Sequence, residues 1–126
     1  QIAVTSLVPS EELLLVTVSG SQPSAARIDS SQTIPSTNED CCIVSRLRGV
    51  PLSYIEIMPA GDFHAINLRA GGNGAAIEWR LFAEFLEKGV IRRARVHAAI
   101  VPRENDIEIA AACWQSIGGL ELQLTP

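Results

Sequence analysis

The chain has 126 residues, 47% of them hydrophobic and 19% charged, with a formal net charge of −4. That length suits one core, since single domains cluster near about 100–150 residues, so residues 1–126 are read as a single domain. The apolar content excludes disorder of the whole. No apolar run approaches the ~18–20 residues of a membrane-spanning helix, and the acidic balance argues against a nucleic-acid partner, because phosphate contacts need a basic surface.

Ile2–Val8 alternates apolar and polar residues and Leu13–Val18 is a dense apolar run. With Pro9-Ser10-Glu11-Glu12 between them, they predict a β-hairpin with a four-residue loop. Residues 19–40 are rich in serine and poor in large apolar side chains, which predicts a long mobile loop. Cys41–Leu47 and Leu52–Met58 read as strands around a turn at Gly49 and Pro51. A turn at Pro59–Asp62 then leads into a strand at Phe63–Arg69, giving a second hairpin.

Ala75–Lys88 carries Ile77, Leu81, Phe82 and Phe85 at helical spacing, with Gly89 as a C-terminal stop. It predicts a helix that buries Phe82 and Phe85. Val90–Val101 predicts a strand ended by Pro102. Asn105 or Asp106 is expected to cap a second helix that buries Ile109 or Ala110, Cys113 or Trp114, and Ile117. Gly118-Gly119 should stop it, and Leu120–Leu124 alternates as a last strand. The expected order is β-β-loop-β-β-β-α-β-α-β. This is an α+β fold: a mixed β-sheet of hairpins followed by β-α-β-α-β, with two helices on one face.

Cys41, Cys42 and Cys113 form no C-x-x-C, and His64 and His97 lie far apart, so no metal site is expected. So few cysteines suit a reducing compartment, and a cytoplasmic location is expected. Cys41 and Cys42 should point to opposite faces of one strand, one inward and one outward. The chain starts at Gln1 and its one methionine is Met58, as expected of a processed product or a piece of a longer chain.

Basic residues gather in 69–103 while both ends are acidic. Strand parity puts Val90, Ala94, Val96, Ala98 and Ile100 on one face, expected to meet the helices. Arg93, Arg95 and His97 fall on the other, with Asn67, Arg69 and Glu121. This second face is a candidate interaction surface. Phe63 and Tyr54 are too few aromatics for an RNA reader of an acidic chain. Leu13–Val18 is apolar on both faces, so it needs cover on both sides. Either an inner layer of the same chain or a second copy would supply it, and a homo-oligomer or protein partner is expected.

Arg69-Ala70-Gly71-Gly72-Asn73-Gly74 sits between a predicted strand and a predicted helix. Arg69, Gly72 and Gly74 match the pattern Q/R-x-x-G-x-G/A, and the segment resembles the pyrophosphate loop of the CoA-dependent N-acetyltransferase superfamily. Ala110 and Trp114 look like the small and aromatic positions of that superfamily's following helix. The resemblance implies a phosphate cradle at a helix N-terminus and acyl transfer, with Glu56 nominated as general base. No nucleophile–base set, carboxylate pair or metal cluster emerges from the residues themselves. The first functional reading is therefore a non-enzymatic protein-interaction or assembly module without cofactor. The alternative is a CoA-dependent N-acyltransferase-like enzyme, or another phosphate-ligand-binding enzyme, using the turn at 71–74.

Overall fold

The computed structural model describes residues 2–20, 22–36, 41–72, 74–82 and 95–124. They form nine strands, one α-helix and a 3-10 turn at Ala60–Asp62: β1 (Ile2–Val8), β2 (Ser10–Ser19), β3 (Gln22–Ile28), β4 (Ser31–Pro35), β5 (Cys41–Leu47), β6 (Leu52–Met58), β7 (Ala65–Gly71), β8 (Gly74–Phe82), β9 (His97–Pro102) and α1 (Asp106–Leu124). A front sheet runs β1-β8-β7-β4 and a back sheet β3-β2-β5-β6-β9, with every pairing antiparallel. The two sheets face each other, and α1 packs on the outer face of the back sheet.

The side-chain alternation of the back sheet builds this layering. Leu13, Cys41, Ile43 and Met58 point into the space between the sheets, where they meet Ile66, Leu68, Ile77 and Trp79 of the front sheet. Leu14, Val16, Cys42, Val44, Ile55 and Ile57 point the other way, onto Ala110 and Ile117 of α1. Strands covered on both sides need apolar residues at both parities. That is why Leu13–Val18 is nearly unbroken, and both of its faces are covered within one chain. It also buries both cysteines of the vicinal pair, where one was expected to face outward. Burial first, then the neighbouring Cys113 and Cys41, pushes the Cys42 thiol up to about 12.

The β-α-β-α-β half is overturned. Residues 75–82, expected to open the first helix, belong instead to strand β8, paired to β1 and β7. Its inward residues Ala75, Ile77 and Trp79 recur at period two, which the i, i+4 spacing of Ile77 and Leu81 concealed. The predicted second helix exists, with Ala110 and Ile117 buried as expected, but it runs on through Gly118-Gly119 to Leu124 in place of a last strand. The predicted long loop holds β3 and β4, both at sheet edges, where a strand needs few buried side chains. Neither predicted hairpin forms. Only Pro9 separates β1 from β2, and the chain crosses there from front sheet to back, while β6 and β7 also lie in different sheets. The side chains of Phe82 and Phe85, and Val90 to Ala94 of the predicted strand, lie outside the described residues. No helix among the described residues is long and apolar enough to cross a membrane.

Candidate functional site

Arg69, Gly72 and Gly74 all lie on the β7–β8 hairpin, whose Gly71 pairs with Gly74. A strand follows Gly74, so the turn does not present the free N–H groups of a helix N-terminus. Its glycines serve the backbone. Gly72 has φ +57, and a Cβ on Gly74 would stand 2.8 Å from the carbonyl oxygen of Val8, at the point where the chain changes sheets. Gly74→Ala should therefore push the hairpin off β1 and cost about 1–3 kcal/mol, read as a lower urea midpoint. Beside the hairpin a shallow cleft of about 730 Å³ is walled by Leu7, Val8, Pro9, Ala75 and Ala76, with Arg69 and Ser31 at its rim. Leu7, Ala76, Arg69 and Ser31 are one cross-strand row on the outer face of the front sheet. In the next row Thr33 donates to Asn67 at 2.7 Å, and Asn67 Nδ2 to Glu78 at 2.7 Å. The bond from Asn67, with one from Arg80, holds the Glu78 carboxyl below the usual range.

Of the proposed basic face, Asn67 and Arg69 lie on β7 of the front sheet and His97 on β9 of the back sheet, so these three do not share one surface. Arg93 lies outside the described residues. The backbone N–H of Arg95 donates to Asp62 at 2.9 Å just before β9. His97, on the α1-facing side of β9, lines a cleft of about 230 Å³ with Cys113 and Ser116. Its Nε2 is buried without a hydrogen-bond partner. Among the described residues, no three His, Cys, Asp or Glu side chains converge as a metal site.

Two buried carboxylates escaped the sequence reading as structural centres. Glu56, 1% exposed, stands between the sheets and accepts from Ser6 Oγ at 2.7 Å, from Trp79 Nε1 at 2.5 Å and from the hydroxyl of Tyr54. Three donors from β1, β6 and β8 satisfy it, and no described cleft reaches it. That enclosure suits a carboxylate tying the sheets together and does not suit a base acting on a bound acceptor. Burial, then the hydrogen bond and charge of Glu56, pushes the Tyr54 phenol up to about 12. Because the folded value lies above the ordinary one, this contribution to stability is complete below pH ~10 and lost as pH rises toward ~12. Tyr54 is the chain's one tyrosine, so absorbance near 295 nm in a pH titration should show no tyrosinate until close to pH 12. A midpoint near 10 in the folded protein would refute this environment.

The second carboxylate, Asp106, is the first residue of α1 and is 2% exposed. Arg46 reaches it with Nε at 2.9 Å and Nη2 at 3.2 Å, and Ser53 Oγ donates at 2.7 Å. Arg46 also donates to Glu12 at 2.6 Å, so β2, β5 and β6 are tied to the start of the helix.

The lateral sides of the sandwich differ. On one side lie the edges β3 and β4. β3 carries Pro23 and Arg27, and β4 is five residues long and ends in Pro35. On the other side lie β1, placed over β6 by the Ser6–Glu56 bond, and β9, the neighbour of β6. Neither β1 nor β9 contains a charged residue, and proline occurs only at the last position of β9. Val4, Val96 and Ile100 are exposed there, Ile100 to 64%. Strand parity predicts that the Val96–Ala98–Ile100 face meets a helix. The opposite parity, including Val101, meets α1 instead.

Compared with models of known protein families, with curated proteins and with solved structures, the chain matches none.

Proposed function

We propose that this domain is a protein-assembly module that associates through the lateral side formed by β1 and β9. The observation that carries the reading is the asymmetry of the edges. An open strand edge is a template for another strand, and proteins that stay apart blunt their edges with charge, proline or short length. The β3/β4 side has all three devices, and the β1/β9 side has only the terminal Pro102. Exposed Val96 and Ile100 add apolar surface where a partner strand would lie. Cys41, Cys42 and Cys113 form no disulfide, which suits the reducing interior of the cytoplasm as the place where it works.

Sedimentation equilibrium from low micromolar to near-millimolar protein tests the reading. The parent should associate with rising concentration, and Leu7→Lys with Ile100→Lys, one charge on each edge strand, should hold it monomeric. A parent that stays monomeric throughout would overturn the proposal.

A further inference from the structure

We infer that the partner is a second copy of this chain, joined through β9 in antiparallel register about a twofold axis at Ala98. The inference rests on the assembly reading above and adds which edge, which partner and which register. Among the described residues, no strand pairs with the outer edge of β9.

Twofold pairing sets only the residue at the axis opposite its own kind, but it brings every charge on the strand into the same contact twice. His97-Ala98-Ala99-Ile100-Val101-Pro102 carries no acidic or basic residue other than His97. An edge such as β3 would carry Arg27 into the contact twice and lacks the N–H of Pro23. β1 is uncharged as well, but its exposed Val4 and Leu7 have opposite parity and form no common stripe. Val96 and Ile100 share parity, and they are 43% and 64% exposed.

Directly opposed residues in an antiparallel pair put their side chains on the same face. Centring the axis on Ala98 places Val96 opposite Ile100 of the second copy, twice over, with the small Ala98 pair between them. His97 then lies opposite Ala99 of the second copy. This register covers both exposed apolar groups of the edge. A centre at Ala99 would instead set Ile100 against Ala98 and Val96 against Pro102, which has no N–H to give. A contact made by one strand edge falls at the low end of interface areas, below about 1,200 Å², so a weak dimer is expected.

Cross-linking and sedimentation together test it in a Cys113→Ser background, which removes the half-buried thiol. Ala98→Cys, at the axis, should oxidise to a disulfide dimer. Ala99→Cys, which opposes His97 and not itself, should oxidise far more slowly. Ile100→Lys should weaken dimerisation at least tenfold and, being on an exposed side chain, leave the melting temperature unchanged. If the parent associates but Ala98→Cys does not cross-link and Ile100→Lys has no effect, the β9 inference fails while the assembly reading stands. A parent that is monomeric at every concentration removes both. If the lysine variant does not fold, the Ala98→Cys result, which changes little volume, still decides.

Discussion

Trp79→Ala should cost about 3–5 kcal/mol of folding stability, and possession of the folded state at ambient temperature is then in question for a domain of this size. Trp79 is fully buried at the centre of the front sheet's inner face. Its ring meets Phe63 edge-on, with centroids 5.0 Å apart and planes at 75°, a geometry that adds to the area buried. The truncation empties an indole-sized volume and also strips Glu56 of one donor inside the sandwich. Trp79→Phe separates the two effects. It keeps most of the apolar contact and removes only the N–H, so its loss should be about 1–3 kcal/mol, the cost of an under-satisfied buried polar group. Urea unfolding followed by circular dichroism gives both values. Equal losses for the two variants would show that the hydrogen bond to Glu56, not packing, dominates at this position.

The second large effect is expected at Asp106. Asp106→Ala leaves the Arg46 guanidinium without the bidentate carboxylate that holds it. Removing one member of a buried pair costs about 3–5 kcal/mol. Arg46 keeps 30% of its side chain exposed and retains Glu12, so a loss near the lower end, about 3 kcal/mol, is expected. The same contact predicts a pH dependence. Burial opposes ionisation of Asp106, but the hydrogen bonds from Arg46 and Ser53 and the charge of Arg46 outweigh it, and the carboxyl sits below its usual range. A group with a lowered folded value contributes stability above its unfolded value and loses it as pH falls through the folded one. Acid destabilisation below pH ~4 should therefore be steeper in the parent than in Asp106→Asn, which has no proton to take up there. Identical acid limbs would refute the role given to this pair.

The parts of the fold that were legible in the sequence are those where local pattern and tertiary demand agree. Cys41–Leu47 and Leu52–Met58 stand at their expected boundaries because turn residues bracket two dense apolar runs. The stripe of α1 was legible from Ala110 to Ile117 for the same reason. At Gly74–Phe82 two periods fit the same letters, and the tertiary partners β1 and β7 decided for the strand. Asn73-Gly74 ahead of alternating Ala75, Ile77 and Trp79 was the available hairpin signal. β3 and β4 look like loop because an edge strand can be mostly exposed and still pair. The buried roles of Glu56 and Asp106 left no local mark, since their donors come from β1, β5, β6 and β8. The uncharged run from His97 to Val101 was visible, but which of its faces met the helix depended on the register of β6 and β9.

The crossing from one sheet to the other at Pro9 also sets a timetable. β2 has its partners β3 and β5 close by in the chain, and β5 has β6, so most of the back sheet is assembled from neighbours. β1 precedes all of them yet pairs with β8. Its hydrogen bonds to β8, and the full enclosure of the Ser6 bond to Glu56, wait until β8 has been made and the β7–β8 hairpin has closed. Contacts of such long sequence separation pay their loop-closure entropy before they return any energy, and domains dominated by them fold in milliseconds to seconds. During synthesis β1 thus leaves the ribosome before every strand it packs with and is among the last of them to be secured, spending that interval as an unpaired apolar segment for chaperones to recognise.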